Sequence, residues 1–397
     1  MRVSLSPVRR RYGGEPIAAS APFLDAAGAR VVLGRETAPL GLVEPIAPAA
    51  GVLFGPRGAA LGGVRGPLFV ADTGHHRLLV WTEVPVRDGA PADLVIGQPD
   101  FVSEGRNARG PVGAATLNVP TGVAACDGIL AVADAWNHRV LIWHGYPTRS
   151  NQPADVVLGQ EDFAGGLPNR GGEAPSAASL NWCYGVAIAD GALYVADTGN
   201  RRVLKWSRIP EISGTPADLV LGQRDFGTRD ENGGRAPDAA GMRWPHGVAV
   251  DGARLLVADA GNNRIMVWRA MPTRDGAPCD FVLGQCHTAG VDHNQAAYYP
   301  TDASLNMPYG AAVLGRRLVV ADTANCRLVG YDLDRLGMGA EARWLAGQDT
   351  FEDKGENRWG VPERDSLCWP YGVSVCGETV VVADSGNNRV LIWEAVP

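Results

Sequence analysis

The chain has 397 residues, 46% of them apolar and 20% charged, with a formal net charge of −7. That balance suits a packed core and excludes a broad phosphate-binding surface, because no basic patch dominates. No apolar run approaches the roughly 18–20 residues of a membrane-crossing helix, and seven cysteines without CxxC spacing fit a reduced, cytoplasmic setting.

In chain order, the first segment is MRVSLSPVRRRYGG, which lacks the apolar stretch of a secretory signal. Its Arg9–Arg11 cluster reads as a solvated tail over residues 1–20, ahead of a single folded unit over 21–397. Next, Ala29–Arg35 (ARVVLGR) is a strand-like phrase with no unit of its own. Then a twelve-residue phrase begins at Val70 (VADTGHHRLLVW) and returns from Val132, Val195, Val257, Val320 and Val382. Its Asp falls at 72, 134, 197, 259, 322 and 384, in steps of 62 or 63 residues.

Each unit carries four strand signals. The first follows Pro-x-Gly, as in PHGVAV from Pro245. The second is the LxVAD run, the third the RVLxW run and the fourth the ADLVLGQ run, as at Leu193, Arg202 and Ala217. All are short, rich in Val, Leu and Ile, and bounded by Gly, Pro, Asp or Asn. No amphipathic helical stretch interrupts them. Six such units predict an all-β chain, a six-bladed β-propeller of four-stranded antiparallel blades. The last unit ends at Pro397 without a fourth strand, so Ala29–Arg35 is expected to complete it and close the ring.

The pattern P-x-G-V-A-V followed by L-x-V-A-D-x-x-N-x-R-V-x-x-W, recurring from about Val52 to Trp393, resembles the NHL-repeat family of β-propellers. The resemblance implies the propeller fold but no single chemistry, since such proteins include protein-binding and RNA-binding propellers and metal-dependent lyases. In the lyases, the resemblance implies, zinc is held by His residues projecting into the channel from several blades. Here only His246 matches; Thr121, Tyr184, Tyr309 and Tyr371 stand at the corresponding positions, which argues against a three-His zinc centre.

Residues that recur in every copy are expected to be architectural: the Asp and Arg of the turn, its Asn (Asn200, Asn262, Asn387) as a left-handed residue, and the aromatics closing the third strand. Function is expected where one copy departs from the others, on the face that carries the long loops. The middle of Pro-x-Gly offers Arg57, Thr121, Tyr184, His246, Tyr309 and Tyr371 in turn; two residues earlier stand Gly55, Val119, Trp182, Trp244, Met307 and Trp369. Trp182, Tyr184, Trp244, His246, Tyr309, Trp369, Tyr371 and Arg57 are therefore the expected ligand-binding set, an aromatic wall over a polar floor at the channel mouth. Trp136 and Trp359 extend it. Cys183, Cys286, His287, His293 and Cys368 are the second departure, a donor set suited to zinc or copper(I). His75, His76, His138 and His144 read as surface variants of the turns.

The leading expectation is a propeller that binds a small organic ligand or a protein partner at this mouth, with no nucleic acid and no membrane. Two alternatives stay open. One is an enzyme of lyase or hydrolase type, with His246, Tyr309, Tyr371 and Arg57 as its catalytic residues and Cys or His as metal ligand. The other is a protein-interaction scaffold.

Overall fold

The computed structural model describes residues 17–34 and 46–396; the Arg9–Arg11 cluster and Arg35 lie outside them. Six four-stranded antiparallel sheets form a ring of six blades. Blade 1 runs Gly58–Leu61, Leu68–Asp72, Arg77–Trp81 and Leu94–Ile96, and blades 2 to 5 repeat it. Blade 6 takes its first three strands from Pro370–Cys376, Thr379–Asp384 and Arg389–Glu394 and its fourth, Val31–Leu33, from the other end of the chain. The pairing Val31↔Ile392, Val32↔Leu391 and Leu33↔Val390 is the expected closure. Helix among the described residues is confined to 3-10 turns of three or four residues. None is long and apolar enough to cross a membrane.

The segment 17–20, expected as tail, is hydrogen-bonded to blade 5. Phe351 N–H donates to the Ile17 carbonyl (3.0 Å), and Ser20 N–H to the Arg343 carbonyl (2.9 Å).

Alternating Val, Leu and Ile place apolar side chains on both faces of every blade. They meet as six clusters, one in each gap between neighbouring blades. The cluster built from Val31, Leu33, Leu61, Leu79 and Val381 seals blade 6 to blade 1 just as the others seal their gaps.

At the axis the first strands approach more closely than side chains allow. A Cβ on Gly185 would overlap the His246 carbonyl oxygen, and one on Gly122 the Tyr184 carbonyl oxygen. The Gly of Pro-x-Gly is therefore the price of a narrow ring. The turns after the second strands and the long loops between blades share one face, where Asn137 of a turn exchanges side-chain hydrogen bonds with Asn107 of a long loop (2.7 and 3.3 Å).

Candidate functional site

The recurring turn is a buried ion-pair device. In blade 4, Arg264 Nε donates to Asp259 Oδ2 (2.9 Å), and its terminal nitrogens donate to the carbonyls of Thr288 and Gly241 in the flanking loops. Asp259 Oδ1 accepts the Arg243 N–H (2.7 Å) and Oδ2 the Asn262 side chain (2.7 Å). Both oxygens of the carboxylate and the guanidinium are paired, the condition for holding a buried charge. All six copies of this Asp and Arg are buried.

Two sequence expectations about this turn are corrected. The left-handed residue is the one after the Asn (φ 54° at Arg201 and Asn263), whereas Asn200 and Asn262 turn inward and bond the Asp and a loop Asn. The histidines are also not uniformly at the surface. His144 is exposed, but His75 is buried, taking the place of that Asn in blade 1, with Nδ1 on Asp72 (2.8 Å) and Nε2 on the Ile46 carbonyl (2.7 Å).

The left-handed residue is also a latch to the next blade. His76 Nδ1 accepts the Val119 N–H (3.1 Å), His138 Nδ1 the Trp182 N–H (3.0 Å), Asn263 Oδ1 the Met307 N–H (2.8 Å) and Asn388 Oδ1 the Gly55 N–H (2.8 Å). The residue at the receiving position is left-handed in every blade, latched or not: φ is 49° at Trp182, 56° at Trp244 and 54° at Trp369. A bulky residue at φ near +50° costs on the order of 1–3 kcal/mol. The three Trp side chains nonetheless stand 48%, 39% and 40% exposed, so burial does not offset that cost.

Below them the six Pro-x-Gly side chains form a plug. His246 stacks on Tyr309 (centroids 4.2 Å, 9° apart) and tilts against Tyr184 (4.8 Å), and Tyr309 meets Tyr371 (4.6 Å). Arg57 lies over Tyr371 (4.9 Å) and donates to the Tyr184 hydroxyl (3.3 Å). The space between these rings and the first strands is only about 100 Å³. His246 Nδ1 sits 2.8 Å from the Trp244 carbonyl, so it donates, leaving the Nε2 lone pair free. Burial pushes the His246 pKa down to about 4, so the ring is neutral at pH 7. Burial raises Tyr309 well above a free phenol, the neighbouring Tyr371 adding to the effect, and burial raises Tyr371 as well, so both keep their protons.

Above the plug and to one side lies a cleft of about 660 Å³ over blade 3. Trp182 and Trp244 wall it, Tyr184, His246 and Tyr309 floor it, and Arg201 and Arg229 reach it. Five of the eight expected ligand residues thus meet in one place. Arg57 and Tyr371 belong to the plug alone. Trp369 stands apart, its indole N–H donating to Glu356 (3.0 Å), and exposed Trp136 and Trp359 also lie outside the cleft lining. Sequence reasoning missed Arg201, although the signal was present: it is the one Arg at a position where other copies have His, Asn or Cys.

The expected metal donors do not converge; among the described residues no three His, Cys, Asp or Glu side chains gather as a metal site requires. Cys183 is buried and donates to the Arg139 carbonyl (3.2 Å), and burial raises its thiol well above the ordinary range. Cys286 is exposed and donates to Gln295 (3.2 Å). Cys368 contacts Cys326, and that hydrogen bond together with burial raises its thiol as well.

Residues 117–143 and 242–268 match the family model of the NHL repeat. The chain is 24% identical over 354 residues to NHL repeat-containing protein 2 of Bos taurus and 25% identical over 361 residues to that of Gallus gallus. Each match covers 82% of this chain and 44% of the relative, so the chain spans under half the length of the curated relatives it matches. Among solved structures it is similar to a gluconolactonase from Xanthomonas campestris, with 15% identity, a TM-score of 0.49, and coverage of 98% of this chain and 100% of the other.

Proposed function

Starting from a chain that is an NHL-repeat β-propeller, a fold that fixes a ring and leaves its chemistry to the loops, we propose that it binds a small organic ligand in the cleft over blade 3. One observation carries this reading: two Trp side chains are held exposed, in a costly backbone conformation, facing a single concave space. Strain that burial does not explain points to function. The cleft has the size and the apolar walls of a ligand site, with a few polar groups to fix orientation. His246 Nε2 supplies an acceptor, Trp182 and Trp244 supply flat contact area, and the plug below closes off the axis as a route. The odd count of cysteines supports a reducing, cytoplasmic setting as part of the same reading.

The test is Trp244→Gly. Gly55 occupies the equivalent position of blade 1 at φ 53°, so glycine suits this backbone. The expected outcome is an unchanged or higher unfolding midpoint with loss of about 2 kcal/mol of binding, near 30-fold in affinity, for compounds found by thermal-shift screening. Binding that survives Trp244→Gly places the ligand elsewhere.

A further inference from the structure

The latch between blades is missing at two junctions, after blades 3 and 5, and the first of these lies at the cleft. In four junctions the left-handed turn residue is an acceptor that takes the next blade's N–H. At the junction from blade 3 to blade 4 the residue is Arg201, which has no acceptor to offer. Its side chain turns instead to the carbonyls of Gly199 (3.0 Å) and Arg229 (3.2 Å). The Trp244 N–H is left without a hydrogen bond among the described residues. Arg201 Nε is buried with no partner of its own. One latch therefore carries two unsatisfied donors, one of them on a cation.

The rest of the lining has the same sign. Arg229 faces the cleft in no ion pair among the described residues, and no Asp or Glu lines it. Glu231 lies outside the lining, between Arg201 (3.9 Å) and Arg243 (3.4 Å). Arg243 also lies over the Trp244 ring (5.1 Å) and helps hold that wall in place. His138 is neutral, because its Nδ1 accepts the Trp182 N–H. On a chain of net charge −7, this is a local cationic cleft with apolar walls.

We infer that the cleft takes a small organic anion with a flat apolar body, its carboxylate replacing the acceptor that four other junctions build from their own side chains. This deepens the proposed ligand site and rests on it. A carboxylate offers two acceptor oxygens, enough for the Trp244 N–H and the Arg201 guanidinium together, while its ring lies between Trp182 and Trp244. A neutral amide has one acceptor oxygen and brings its own N–H groups to a site already crowded with donors.

The experiment compares 2-naphthoate and indole-3-carboxylate with 2-naphthamide and indole-3-carboxamide, by thermal shift and calorimetry on the full chain. Both carboxylates are expected to bind at least tenfold more tightly than their amides. Arg201→Asn rebuilds the latch of blade 4, where Asn263 does this work. It is expected to hold or raise the unfolding midpoint and to weaken the carboxylates at least tenfold. Arg229→Gln weakens them severalfold and serves as a second variant if Arg201→Asn does not fold. If acids and amides bind alike, or if both Arg variants keep full affinity for the acids, the anion inference is overturned and the cleft stands. If none of the four binds the wild-type chain, the inference and the cleft reading fall together.

Discussion

At the scale of single residues, two histidines tie stability to pH in opposite directions. His75 places both ring nitrogens against acceptors, Asp72 and the Ile46 carbonyl, so it is held as an imidazolium beside the Asp72–Arg77 pair. Desolvation pulls its pKa down, but Asp72 and the Ile46 carbonyl outweigh it and the net shift is upward. Its stabilisation is full below the unfolded value near 6.5 and is lost as pH rises through the raised folded value. His138 does the reverse. Its Nδ1 must stay unprotonated to accept the Trp182 N–H, and burial pushes its pKa down to about 4. Its contribution is full above about pH 6.5 and is lost as pH falls toward 4. Unfolding midpoints measured against pH are therefore expected to decline on both sides. His75→Asn, copying the other five turns, flattens the alkaline limb, and His138→Asn flattens the acid limb. A buried pair is less forgiving: Arg264→Ala leaves Asp259 charged and unpaired and is expected to cost about 3–5 kcal/mol in denaturant unfolding.

At the scale of elements, the closing strand is secured as the fourth strands of blades 1 to 3 are. The Val32 N–H donates to Asp88 (2.9 Å) and the Val32 carbonyl accepts from Gly89 (2.9 Å), both in a connection of blade 1. The Val220 backbone of blade 3 makes the same two bonds to Asp275 (3.0 Å) and Gly276 (2.9 Å) of blade 4. In these four blades the outer edge is thereby tied to the next blade, which makes it a poorer template for pairing. Removing residues 1–34 strips blade 6 of its outer strand and uncovers its junction with blade 1. The expected result is a lower midpoint for one whole-ring thermal transition; an unchanged midpoint would refute the closure. The junctions also come in two alternating kinds. Isolated parallel bridges at Gly97–Thr116, Gly222–Gly241 and Gly347–Ser366 mark the junctions after blades 1, 3 and 5. A turn Thr bonding the next blade's Pro carbonyl (Thr73, Thr198, Thr323) marks the same three. The alternation of 62 and 63 residues is the trace of this pairing of blades.

At the scale of the whole molecule, the axis sets what the ring can do. Gly185 sits so close to the neighbouring strand that Gly185→Ala must spread blades 3 and 4, and a fall in midpoint of several degrees is expected. With the axis plugged, the open volume lies off-centre over blade 3, where symmetry is broken. The fold was legible in the sequence because a propeller is specified locally. Six copies of Pro-x-Gly, VAD and RVLxW each report their own strands, and Ala29–Arg35 matches the strand that blade 6 lacks. The architectural role of the Asp and Arg was legible for the same reason. Five of the eight expected ligand residues meet in the cleft because position in the repeat dictates height on the axis. The metal donors did not follow from the sequence, since side chains on different blades share a rim without sharing a point. Nor did the meeting of Arg201 with Trp244 at one cleft. Repeat period and strand pattern are properties of consecutive residues, and the sequence alone determined the ring. Which donors lack a partner depends on residues about 40 positions apart being packed together, and only the tertiary structure decided that.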